Sequence, residues 1–268
     1  MFPLQSKNVP SSKEELARAL EESLRRFVRK DAPLVAVSSR VFPYFDEIAI
    51  NLDGAQFDSD LPAPPRVIGE TKQICEAAIV TASARDVVIQ GVPLDLRMEV
   101  RDVVFHTGQD ENGQAFLIVQ KAREGHVVVS VDQSDLEKVI TETARVQAAK
   151  HAVSVENVRL ALRARGARSL AVNVRFQARK FILRTNVDIS GQLDVTDDFV
   201  AKASHLQCKG DGAIGSLACG VLEPHLRRLD GENFPLMSLP LGEIKLRDIR
   251  IAVADTVEVT ADFGTDQA

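Results

Sequence analysis

The sequence predicts an α+β fold in which long antiparallel strands pack on several helices. Three observations carry this expectation. Many segments alternate apolar and polar residues with period two, as strands with one dry and one wet face do. Four others space their apolar residues as helices do, two of them behind capping boxes. No regular strand–helix–strand alternation runs along the chain, so a doubly wound parallel sheet is not indicated.

The first helix is expected from about Ser12 to Arg29. Ser12 and Glu15 form a capping box, and Leu16, Leu20, Leu24, Phe27 and Val28 make one apolar stripe. Such a stripe docks on the protein's own core or lies in a membrane interface. Val35 to Leu52 alternates as a strand broken at Pro43, and Gly54 to Pro65 reads as a loop rich in proline and aspartate. Thr71, Ile74, Cys75, Ala78 and Ile79 predict a second helix over 70–82. Strands follow over 86–90 and 94–105, with a polar tip at 109–113 and a return over 116–119. A β-branched run at Val127–Val131 leads into Ser134-Asp135-Leu136-Glu137, a second capping box, whose helix fades near Lys150. A long strand is expected from Phe181 to Val195. The last helix is expected over 213–229, kinked at Pro224, and two strands at 244–253 and 257–263 close the chain.

Between Asn157 and Val187 lie eight basic residues and no acidic one, in a chain whose net charge is −5. Val158, Leu160, Leu162 and Ala164 alternate with Arg159, Arg163 and Arg165. Beyond a turn at Gly166, Leu170, Val172, Val174, Phe176 and Ala178 oppose Arg175 and Arg179. This is a hairpin with an oily face and a cationic face, suited to an amphiphile with an anionic head. An acid-free ladder calls for a compensating anion: a lipid phosphate, an acidic loop such as Asp53–Asp60, or an acidic partner.

Composition narrows the function. Apolar residues make up 45% and charged residues 26%, as in folded proteins rather than disordered ones. With no Trp, one Tyr and an acidic balance, base-stacking and general nucleic-acid binding are poorly served. Apolar runs are too short to cross a bilayer, and the N-terminal residues lack the apolar core of a signal peptide. A cytoplasmic or peripheral-membrane location is expected, with an envelope location if a leader has been removed. Cys75, Cys208 and Cys219 are an odd set that fits a reducing compartment.

Catalytic signatures are thin. No G-x-S-x-G elbow is present. His225 projects from the centre of the last helix's apolar face, where a histidine is more often a core residue than a catalyst. His205, Cys208, Cys219 and His225 supply four zinc-ligand types at a spacing that matches no common knuckle. Gly210, Gly212 and Gly215 match G-x-G-x-x-G before a helix, but no dinucleotide fold surrounds them, so they read as a turn. No enzyme, metal or cofactor is expected.

Three stretches resemble a known bacterial family. They are Leu24-Arg25-Arg26-Phe27 through Ile48-Ala49-Ile50-Asn51-Leu52, Val127 through Leu136, and Leu229-Asp230-Gly231-Glu232-Asn233-Phe234-Pro235-Leu236-Met237-Ser238-Leu239. In order and spacing, over about 14–263, they are similar to the LmeA-like family of cyanobacterial and actinobacterial proteins, mostly of unassigned function. The resemblance implies one tubular lipid-binding (TULIP-like) domain over 1–268, a long curled antiparallel sheet packed on several helices, that binds phospholipid at the cell envelope, with no shared catalytic motif.

The sequence and the resemblance together predict non-enzymatic binding, and transfer, of a phospholipid or other amphiphile at a peripheral membrane surface. Leu160, Leu162, Val172, Val174, Phe176, Leu183 and Val187, with Leu217, Val221 and Leu222 from the last helix, are expected to enclose the tail. Arg159, Arg163, Arg165, Arg168, Arg175, Arg179 and Arg184 are expected to meet the headgroup or membrane. The two sets fall on opposite faces of a flat hairpin. The alternatives are a dry-cored scaffold whose Arg-rich hairpin binds an acidic protein, and a hydrolase centred on His225.

Overall fold

The computed structural model describes residues 2–4, 10–39, 41–57, 67–89, 91–150, 152–180, 183–236 and 244–265. It is an α+β fold dominated by long strands. The chain begins with β1 (Phe2–Pro3), α1 (Lys13–Leu24), β2 (Val28–Arg29), β3 (Val35–Ser38), β4 (Tyr44–Asn51) and β5 (Gln56–Phe57). Three long strands follow, β6 (Val67–Ile89), β7 (Val92–Asp110) and β8 (Ala115–Asp132), then α2 (Gln133–Ala149). Next come β9 (Ser154–Gly166), β10 (Ser169–Lys180), β11 (Leu183–Val195), β12 (Val200–Gly210) and α3 (Gly212–Leu229). β13 (Asn233–Pro235), β14 (Lys245–Val253) and β15 (Thr256–Gly264) complete it. One sheet runs β14-β15-β8-β7-β6-β4-β3 and the other β13-β12-β11-β10-β9, and neither path closes on itself.

Where the sequence reads as one domain over 1–268, the chain divides into two compact units. The first takes the described residues up to Ser130 with those within 239–248 and 260–268; the second takes those within 131–238 and 249–259.

The first unit holds both buried apolar clusters found among the described residues. Leu16 and Leu20 of α1 are fully buried beside Leu4, Phe45, Ile48, Val103, Phe105 and Leu117. The first helix is therefore docked on the core, and the interfacial reading of its stripe does not hold. Ser12 caps it by accepting from the Glu15 amide at 3.2 Å. It ends at Leu24, short of Arg29, and Glu21 near its end accepts from the amides of Leu34 and Val35 at 2.8 and 2.9 Å. Phe27 and Val28 then join a second cluster with Leu34 and Ala55. Of the loop expected over 54–65, residues 58–65 lie outside the described residues.

The helix expected over 70–82 is instead part of β6, which pairs parallel with β4 and antiparallel with β7. Its inward residues are Cys75 and Ala77, then Val80, Ala82 and Ala84, then Val87. Two changes of phase break the period of two and leave apolar residues at helix-like intervals. Flanking strands satisfy this backbone, and tertiary pairing overrides the local pattern. Cys75 is buried, and desolvation, aided by neighbouring Glu76, pushes its thiol up to about 12, so it is unreactive at neutral pH.

The second unit is an antiparallel meander, β9 to β13, with two helices. The basic hairpin forms as the alternation predicts. Val174 faces Leu160 on one side and Ile189 on the other, and Arg175 faces Arg159 and Asp188. Phe181 lies outside the described residues, as do residues 237–239 of the third family-like stretch. α2 begins at Gln133, but no side chain caps it. Glu137, expected in a capping box, instead accepts from the outward amide of Leu160 at 2.8 Å. A strand edge with unpaired amides is a stronger claim on a carboxylate than a helix start open to water.

α3 joins the sheet through a disulfide between Cys208 of β12 and Cys219. This corrects the expectation of free thiols and removes both cysteines from any zinc set. A cross-link over such a short loop contributes roughly 3 kcal/mol. Two of the three glycines, Gly210 at the end of β12 and Gly215 in α3, have a packing role. A Cβ on Gly210 would lie 2.5 Å from the Gly215 backbone, so strand and helix touch main chain to main chain. Only glycine permits that approach.

Candidate functional site

Register divides the second unit's sheet into two faces. On one, Leu160 and Leu162 of β9 lie beside Val174 and Val172 of β10, which lie beside Ile189 and Gly191 of β11. Phe176 faces Val187 and Leu170 faces Leu193. α3 packs on β11 and β12, and α2 on β9; no comparable helix packing falls on β10 between them. Val172, Val174 and Phe176 are consequently only half-buried, as are Leu160, Leu162 and Ile189. Neither buried cluster extends into this unit. A partly buried apolar strip thus runs along β10.

The expected tail residues divide on this geometry. Leu160, Leu162, Val172, Val174, Phe176 and Val187 share the strip's face. Leu222 is half-buried on α3. Leu217 and Val221 are 63% and 46% exposed, turned away from the side that carries Cys219 and Gly215, and Leu183 is 53% exposed. The enclosing role expected for Leu217 and Val221 is therefore corrected. Each lies two positions from Cys219, and such a residue cannot share its side of a helix as one three or four positions away does.

The opposite face carries the arginines, and the sheet supplies much of their counter-charge. Arg175 meets Asp188 at 2.6 Å, Arg168 meets Asp197 at 2.9 Å, Arg159 meets Glu137 at 3.4 Å and Arg179 meets Glu156 at 3.7 Å. Asp188 also accepts from Asn173 at 2.6 Å. Arg168 is half-buried, donates to the Ile249 carbonyl at 3.2 Å and sits 5.4 Å from the centre of the Phe199 ring. It anchors the hairpin turn. Arg163, Arg165 and Arg184 have no acidic partner among the described residues. These surface pairs are worth little each, but they show that the acid-free run is balanced by acids from neighbouring strands and α2.

Two clefts are present away from the apolar strip. One, of about 400 Å³ in the first unit, is lined by residues including Val41, Tyr44, Asp46, Glu76 and Asp102. The other, of about 350 Å³ on the arginine face, is lined by Arg165, Ala171, Ser190, Gly191, Gln192, His205 and Gln207. Neither is the hollow that the tail residues were expected to form. Beside the second cleft, burial would raise the Asp194 carboxyl, but hydrogen bonds from Ser169, Gln192 and Ser204, and the nearness of His205, hold it below the usual carboxylate range. Its stabilising contribution is therefore present above the ordinary carboxylate pKa and is lost as pH falls through the depressed value.

His225 is exposed on α3 rather than central to an apolar face. Among the described residues, no group of three or more metal-ligating side chains comes together. Sequence reasoning missed Glu137 and Asp188, whose partners are strand neighbours distant in sequence. It also missed the disulfide, which a strand cysteine and a helix cysteine 11 residues apart could have signalled. Comparison with protein-family models, curated proteins and solved structures gave no match to this chain.

Proposed function

We propose that this protein binds a phospholipid or a similar amphiphile, without chemistry, along the apolar strip over β10. The observation that supports this reading is the half-buried row Val172, Val174 and Phe176, flanked by Leu160 and Leu162, with helices on either side and none along it. Burying methylenes contributes about 0.8 kcal/mol each, so a chain of about ten carbons gains roughly 8 kcal/mol before entropic costs. No hydrogen-bonding group is needed inside such a strip. In this reading the fold is TULIP-like and the chain a member of the LmeA-like family.

Arg163, Arg165 and Arg184 are the arginines left to meet an anionic surface. No described helix is long and apolar enough to cross a membrane, which accords with action from the membrane surface. The Cys208–Cys219 disulfide favours an oxidising compartment and hence the envelope. The scaffold alternative loses force because four of the seven arginines already hold acids of this chain.

The test is organic extraction of the purified protein followed by mass spectrometry. A stoichiometric acyl-chain compound supports the reading. Protein that carries no such compound, and takes none up from vesicles, overturns it.

A further inference from the structure

We propose that the arginine face of the second unit carries a separate binding site for a phosphate-bearing anion, built from Arg165, His205 and Gln207 over Ser190 and Gln192. The cleft of about 350 Å³ lined by these side chains is polar, unlike the apolar strip on the other side of the same strands.

Local structure prepares it. β12 bulges where Ser190 pairs with Gln207 and Gln192 with Ser204, so that His205 and Leu206 both oppose Gly191. A bulge of this kind re-aims side chains. His205 adopts φ 55°, a conformation costly for a residue with a side chain. Leu206 fills the space over Gly191, where any Cβ would collide with it. His205 is left to the cleft. Ser204 Oγ lies 3.0 Å from His205 Nδ1, which fixes the ring and leaves Nε2 without a partner among the described residues.

The charge is unbalanced here as it is not along most of the hairpin. Arg165 has no acidic partner among the described residues, nor has Arg163 two positions earlier on the same face. The nearby carboxylate, Asp194, is engaged by Gln192 at 2.8 Å and by Ser204 at 3.4 Å, and its strand neighbour is Lys202. Ala171, small and opposite Arg163, leaves room above the strands. A planar guanidinium, the Gln207 carboxamide and, in its doubly protonated form, the His205 ring around one opening suit a tetrahedral oxyanion, while Gln192 donates to Ser169 and Asp194. The inference does not rest on lipid in the strip, because the two sites occupy opposite faces.

The experiment follows the His205 imidazole by NMR in the full chain. It is titrated with inorganic phosphate, glycerol 3-phosphate, glycerol as neutral control, and phosphatidylglycerol vesicles. A saturable shift with either soluble phosphate, absent with glycerol and weakened about tenfold or more by Arg165→Gln, supports the site. A response to the vesicles alone, equally sensitive to Arg165→Gln, also supports it and identifies the anion as a lipid headgroup. No saturable response to any phosphate, or one unaffected by Arg165→Gln, overturns it.

Discussion

Gly215→Ala is expected to destabilise the second unit by about 3 kcal/mol. The new Cβ would sit 2.7 Å from both Gly210 Cα and Thr185 Oγ1. Neither atom is the loose end of a flexible side chain. Thr185 is buried and donates to the Asp211 carbonyl at 2.7 Å, and Gly210 is main chain already in contact. α3 must then lift from β12 while the disulfide holds it nearby. Urea denaturation followed by far-ultraviolet circular dichroism measures the loss. Gly220→Ala on the same helix is the control, since nothing lies within 4 Å of its Cβ position. Equal behaviour of the two variants would refute the close-contact account of these glycines.

Val174→Asp is expected to abolish uptake of acyl chains, lowering affinity by roughly a hundredfold. A carboxylate in the middle strand of the strip must be desolvated by a bound tail or neutralised, and either costs several kcal/mol. Val174→Thr, close in shape and less polar, should weaken binding far less. Leu217→Ser, on the exposed side of α3, should leave it unchanged. Fluorescent acyl-chain displacement reads all three, with circular dichroism confirming that each variant is folded. If Leu217→Ser is the damaging change and Val174→Asp is silent, the ligand sits on the outer side of α3 and the strip is not the site.

What was legible in the sequence was whatever local periodicity controls. The hairpin, its turn and its division into two faces follow from strict alternation between Val158 and Ala178, and the register keeps that alternation across β11. α1 and α3 were legible because their apolar stripes lie on stable helical spacing. β6 was not, because its phase changes twice and its alanines suit a helix as well as a strand. Its state is set by β4 and β7, neither of which local pattern can see. The charge balance was hidden for the same reason. Arg175 finds Asp188 across one strand pair and Arg159 finds Glu137 from a helix, and neither acid lies between Asn157 and the turn at Gly166. The cysteines were misread by their odd number, since one is buried alone and the other two pair.

The candidate site follows the same division. The face on which Leu160, Val172 and Phe176 lie was predictable residue by residue. That β10 carries no helix, and that Leu217 and Val221 point away, depends on where α3 lands, which the Gly210–Gly215 contact and the disulfide decide.

The most direct test of the strip as a lipid site places the tail itself. The protein is labelled at valine and leucine methyls and mixed with an acyl chain bearing a nitroxide. The account predicts strong broadening at Val172, Val174, Leu160 and Leu162, and none at the exposed methyls of Leu217. Uniformly sharp Val172 and Val174 signals at saturating lipid would contradict it.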